Sequence, residues 1–160
     1  MTKYIITGAS GWLGQNFLSH LIEDRSDSYA INIKENDLIR CLCLKEEKID
    51  DIKSMFGGID WIVGDLVTGE GLDLLFSDAE DAIVVHLAGL IHPALFSRDF
   101  DLVNFEGSKK LVKAGLEAGV SKIVVMSSNS PVGCNPINEH LFTEESPYSP
   151  YMGYGKSKQI

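Results

Sequence analysis

Apolar and polar positions alternate in two rhythms along this chain. Short runs rich in β-branched residues occur at Tyr4–Ile6, Leu38–Leu44, Trp61–Val63, Ala82–Leu87 and Lys122–Met126, and each predicts a strand. Helical spacing fills the intervals. Leu13, Phe17 and Leu21 recur every four residues, with Leu18 and Ile22 widening the stripe. Leu102, Phe105, Leu111, Val112 and Leu116 mark a longer helix that Gly119 stops. Strands that read as unbroken apolar runs are buried on both faces, as a parallel sheet covered by helices requires. The alternation therefore predicts one α/β domain over residues 1–160, built on a doubly wound, mostly parallel sheet. Glu23–Asp37 is long and polar for a helix-to-strand connection and reads as a surface excursion, with a helical extension at its start. Asn129–Pro150, rich in Pro, Ser and Asn, reads as a loop. It follows the C-terminal end of a strand, where such sheets bind ligands.

Composition narrows the partners. The 160 residues suffice for one hydrophobic core. A net charge of −9 argues against duplex nucleic acid and against an anionic membrane surface. It leaves room for an anionic cofactor, because backbone dipoles can hold a phosphate. No apolar stretch approaches the ~20 residues of a membrane span, and the N-terminus lacks a signal-peptide layout. Cys41, Cys43 and Cys134 have neither redox nor zinc spacing; they read as inert thiols of a reducing cytosol, with no metal site. The expectation is a soluble cytoplasmic protein.

Thr7-Gly8-Ala9-Ser10-Gly11-Trp12-Leu13-Gly14 leaves the first strand directly and opens the first helix. Gly8 permits the tight turn, Gly11 lets the backbone approach a pyrophosphate, and Gly14 lets the helix pack closely on the sheet. The free N–H groups and positive dipole of the helix start then hold phosphates. This is a dinucleotide-binding turn in its proper strand–helix context.

The Gly-x-x-Gly-x-x-Gly spacing after Thr7 resembles that of the extended short-chain dehydrogenase/reductases, the epimerase/dehydratase group, and the resemblance runs the length of the chain. Gly64-Asp65-Leu66 resembles the family segment whose Asp contacts the adenine. His86-Leu87-Ala88-Gly89 resembles the fourth-strand motif whose backbone borders the cofactor, and Asn104 with Gly107 resembles the Asn-x-x-Gly of the next helix. The resemblance implies a Rossmann fold with cofactor contacts from Gly8, Ser10, Gly11, Trp12, Leu13, Gly14, Lys45, Asp65, Leu66, Leu87, Ala88, Gly89, Asn104, Tyr154 and Lys158. Each has a plainer reading as well: Asp65 caps a helix, His86 packs inside a strand, and Asn104 fixes backbone. The cofactor is NAD or NADP. NAD sites place an acid at the end of the second strand, whereas here Lys45 comes first, able to pair with a 2′-phosphate, and acids follow.

Tyr154 and Lys158 lie four residues apart, hence on one helix face. A free phenol, with a pKa near ~10, is a poor proton carrier at neutral pH, and a neighbouring ammonium favours its phenolate. Tyr148 and Tyr151 have no such partner, being followed at four by Met152 and Gly155. In the family the equivalent lysine also holds the nicotinamide ribose. The family's third catalytic member is a Ser or Thr at the end of the fifth strand. Aligning on Gly133 places Ser128 there to hydrogen-bond the substrate oxygen; Val132 replaces the usual tyrosine, so Asn129 and Ser130 stay as alternatives. The implied reaction is hydride transfer at a hydroxyl or carbonyl carbon of a small-molecule substrate, a nucleotide sugar or similar. A homodimer of the full-length form through Asp101–Ala118 is implied too. Because the chain stops two residues after Lys158, it is expected to be the incomplete N-terminal part of such an enzyme, with weak cofactor affinity and no turnover alone. A non-catalytic dinucleotide sensor and an inactive fragment are the competing readings.

Overall fold

The protein is described by a computed structural model that covers residues 1–22, 36–47, 49–91, 99–135, 137, 139 and 141–159. The strands are β1 (Lys3–Thr7), β2 (Leu38–Cys43), β3 (Ile59–Val63), β4 (Ile83–His86) and β5 (Lys122–Val125). All pair in parallel in the order β3-β2-β1-β4-β5. The helices are α1 (Trp12–Ile22), α2 (Asp50–Met55), α3 (Leu72–Leu75), α4 (Ser108–Glu117) and α5 (Gly153–Ser157). The order confirms the doubly wound sheet. It reverses direction between β1 and β4, and ligands of such sheets bind in the crevice beyond the strand ends at that switch point.

Successive strand residues feed opposite faces. Ile6, Cys41 and Val85 join Leu18 and Leu21 of α1, Ile52 of α2 and Phe56 in one core. Ile5, Leu42 and Val84 join Leu72 and Leu75 of α3 and Leu111 of α4 in the other. The central strands are therefore mostly apolar, which is why the runs read as nearly continuous. Cys41 and Cys43 share the first core, and burial pushes the Cys41 thiol far above its ordinary range.

Three features escape the sequence pattern. α2 and α3 have only six and four residues, too few to show a period. The long helix expected from Leu102 begins as a wider π-helical segment, Asp101–Gly107, before becoming α4. The polar excursion expected from Glu23 falls, through residue 35, outside the described residues. Away from the crevice, the Arg40 guanidinium of β2 donates to Asp60 at 2.8 Å and to the carbonyls of Leu74, Leu75 and Ser77. It thereby ties β2 and β3 to the end of α3. Among the described residues no helix is long and apolar enough to cross a membrane.

Leu111, wholly buried in the second core, should cost about 3 kcal/mol when replaced by Ala, whereas exposed Leu116→Ala should stay within about 0.5 kcal/mol. Denaturant unfolding of both variants measures the contrast.

Candidate functional site

β1 ends at Thr7, and Gly8 turns the chain with φ of +74°, a left-handed value that suits glycine. The same residue is pressed against the segment after β4: a Cβ there would lie 2.5 Å from the Ala88 nitrogen. Gly14 supports the turn from below, where a Cβ would come within 2.1 Å of the Gly8 carbonyl oxygen. At Gly11 a Cβ would meet nothing nearer than the Gly8 oxygen at 3.4 Å, so the approach above the helix start is open. The Gln15 amide donates to the Ser10 carbonyl at 2.7 Å and stiffens the turn.

A cavity of about 560 Å³ opens along the C-terminal ends of β1 to β4. Gly8, Ser10 and Gly11 form one wall, Asp65 and Leu66 another, and Leu87, Ala88 and Gly89 the side beneath β4. Those eight expected residues are brought together. Asp65 does not cap a helix: its Oδ1 accepts the Val67 N–H at 2.7 Å, fixing the turn that presents it. Trp12, Leu13 and Gly14 are not in the lining. Trp12 is 81% exposed at the start of α1, and Gly14 is buried under the turn. Lys45 is likewise not in the lining. Beyond Cys43 the chain closes a tight turn in which the Glu47 N–H donates to the Leu44 carbonyl, and the Leu44 N–H donates to the Glu47 carboxylate at 3.0 Å. The turn leaves Lys45 exposed and brings Glu47 into the lining. Glu47 was missed because an acid three residues past a strand reaches the crevice only once the turn is known.

Behind the cavity runs a buried polar chain. Thr7 Oγ1 lies 2.6 Å from His86 Nδ1, and His86 Nε2 lies 2.7 Å from Ser108 Oγ, which donates to the Asn104 carbonyl at 2.6 Å. Burial, with a smaller contribution from the Lys158 charge, lowers the His86 pKa from 6.5 to about 4. The plainer reading of this histidine holds. Asn104 is wholly buried in the π-helical segment. Its Oδ1 accepts the Leu90 N–H at 2.7 Å, and its amide donates to the Leu90 carbonyl at 2.9 Å and to Ser157 Oγ at 3.0 Å. Its polar atoms are engaged with protein groups as a backbone clamp, in keeping with the plainer of its two readings.

Ser157 in turn donates to the Tyr154 carbonyl at 2.8 Å, which links the clamp to α5. Gly155 lets α5 rest on the loop after β5, where a Cβ would be 2.8 Å from the Ser130 oxygen and 3.2 Å from Pro150 Cβ. The Lys158 ammonium donates to the Met126 carbonyl at 3.1 Å and lies against Gly89, whose Cβ, if present, would be 3.1 Å from Nζ. Its burial lowers its pKa. The Tyr154 ring packs on Phe100 at 5.8 Å between centroids. Ser128, partly buried, accepts the Ser130 N–H at 3.1 Å, and its hydroxyl reaches Ser130 Oγ at 3.0 Å. Ser128, Tyr154 and Lys158 do not line the 560 Å³ cavity; they stand beyond it, and Gly89 is where the two parts meet.

The model of the 3-beta hydroxysteroid dehydrogenase/isomerase family matches residues 5–160. The chain is 40% identical over 156 residues to the protein y4nL of Sinorhizobium fredii, covering 98% of this chain and 43% of that one. It is 31% identical over 159 residues to the dTDP-D-glucose 4,6-dehydratase of Mus musculus, with the same coverage of both. A solved dTDP-glucose 4,6-dehydratase from Bacillus anthracis, in complex with NAD, superposes with a TM-score of 0.74 at 22% identity, over 99% of this chain and 47% of that one. The chain thus spans less than half the length of these relatives.

Two outcomes follow from the polar chain. Unfolded, the His86 imidazole takes a proton near pH 6.5, which the folded protein refuses until about 4. Its contribution to stability is therefore complete above pH 6.5 and drains away as pH falls toward 4, by on the order of 3 kcal/mol. Denaturant unfolding across that window should show a smaller loss for His86→Gln. Asn104→Ala leaves the part-buried Leu90 N–H without its partner and should destabilise by about 1–3 kcal/mol in the same measurement.

Proposed function

The chain belongs to the 3-beta hydroxysteroid dehydrogenase/isomerase family, among the extended short-chain dehydrogenase/reductases, and from that premise we propose that it is the cofactor-binding part of an NAD-dependent enzyme. The enzyme would move hydride at a hydroxyl- or carbonyl-bearing carbon, and a nucleotide sugar is the favoured substrate class. The observation that carries this reading is the junction at Gly89, where the wall of the open cavity meets the Lys158 ammonium. That contact supports reading the turn and the Tyr–Lys helix as neighbouring parts of one site. The dehydratase named among the relatives supports the substrate class.

The residues present suit the cofactor. The open approach over Gly11 and the start of α1 would receive the pyrophosphate. Glu47 and Asp65 are the charged groups of the lining, and among the described residues no lysine or arginine joins them. Carboxylates accept hydrogen bonds from ribose hydroxyls. A 2′-phosphate would face the same carboxylates without a counter-charge, which favours NAD over NADP. When bound, the nicotinamide supplies the hydride acceptor. Tyr154 would take the proton from the substrate hydroxyl, and Lys158 would hold the ribose of the nicotinamide. Ser128 would steady the substrate oxygen as charge gathers on it.

Calorimetric titration of the chain should give NAD at least ~10-fold tighter than NADP; equal affinities, or tighter NADP, would reject the cofactor assignment. In the full-length enzyme, assayed with dTDP-glucose and UDP-glucose as probes, Tyr154→Phe should reduce kcat by about 10²–10⁴-fold. Undiminished turnover would remove Tyr154 from the chemistry.

A further inference from the structure

The direction of every proton in the buried chain behind the cavity can be worked out from one fact. A carbonyl oxygen only accepts, so Ser108, 2.6 Å from the Asn104 carbonyl, must spend its single hydroxyl proton there. Its oxygen can then only accept from His86, which requires a proton on Nε2. In a neutral ring Nδ1 is consequently bare, and it accepts the Thr7 hydroxyl proton across 2.6 Å. The donors all run one way, from Thr7 through His86 and Ser108 to Asn104, an arrangement in which each bond polarises the next.

The two ends of this chain are the two halves of the site. Thr7 is the residue before Gly8, and its carbonyl also accepts the Leu87 N–H at 3.0 Å. Asn104 grips Leu90 with both its amide oxygen and its amide nitrogen, the nitrogen also donates to Ser157, and Ser157 holds the Tyr154 carbonyl. We propose that His86 is a positioning residue: held as the neutral Nε2–H tautomer, it registers the phosphate-binding turn against the Tyr–Lys helix. The significance of the two halves rests on the function proposed above; the tautomer does not.

Adding a proton at Nδ1 would break the register from inside. The Thr7 hydroxyl would have to turn its proton elsewhere, and Thr7 is wholly buried. The new charge would also oppose that of Lys158, which already disfavours protonation of this ring together with burial. The geometry thus makes the ring a fixed donor and acceptor rather than a proton carrier.

Proton–nitrogen correlation spectra of the labelled chain give the ring state directly, with the His86 signals identified by their absence in His86→Gln. The expected pattern is a protonated Nε2 and a bare Nδ1, unchanged from neutral pH down to about pH 5. A protonated Nδ1 in that range overturns the proposal. Calorimetry with NAD then separates relay from filler. Gln keeps a neutral donor toward Ser108 and should bind NAD within about 3-fold of the parent, while apolar His86→Leu should lose at least ~10-fold. Equal affinity of the two variants overturns the relay. Should the Leu variant fail to fold, Ser108→Ala replaces it, with the same loss expected and the same contrary result. A parent chain that does not bind NAD would reject the proposed function, and the ring spectra would still decide the tautomer.

Discussion

Polar atoms buried at a switch point have to be satisfied by one another, and this requirement organises the rest of the molecule. Thr7, His86, Asn104 and Ser108 are enclosed where β1 and β4 part company. Left unpaired, each would cost more than a hydrogen bond returns. Their partners come from four segments that are remote in sequence, so the backbone must bring these ends to fixed separations. The parallel register does the first part, pairing Thr7 with His86 across the strands. α4 does the second by presenting Ser108 to the ring. The π-helical segment before it carries Asn104, and a widened turn of this kind often accompanies a functional site.

Small residues allow those segments to converge. Gly8 against Ala88, Gly89 against Lys158, and Gly155 against Ser130 each mark a contact that a methyl group would crowd. At Gly8 and Gly155 backbone approaches backbone, and at Gly89 it approaches the Lys158 ammonium. Glu47 and Asp65 each serve twice, since each carboxylate accepts an N–H of its own turn and also faces the cavity.

The sequence was most informative where a residue's task is local. The five strands lie within a residue or two of the apolar runs that announce them, most plainly at β1 and β4, where the central residues are buried. The glycines of the first turn were legible because their spacing between a strand and a helix is itself a local pattern. The surroundings of Lys45 and Asn104 depend on folding beyond local sequence. A tight turn swings Lys45 outward and Glu47 inward. Asn104, which a motif would send to a ligand, is claimed by Leu90 and Ser157, the latter 53 positions away. Nothing in the spacing of Thr7, His86 and Ser108 shows that they meet.

The Arg40 clamp has a mechanical consequence. The link from β3 to β4 is the stride that carries the chain across β2 and β1 to the far side of the sheet, and α3 lies along it. A guanidinium grips the end of that stride through Leu74, Leu75 and Ser77 while holding Asp60 with another nitrogen. A rigid planar fork can serve several acceptors at once, and a lysine's single ammonium cannot match that spread. The keel of the sheet is therefore braced independently of its mouth. Loops around the crevice can be refitted to new ligands over evolutionary time while the hull beneath keeps its shape.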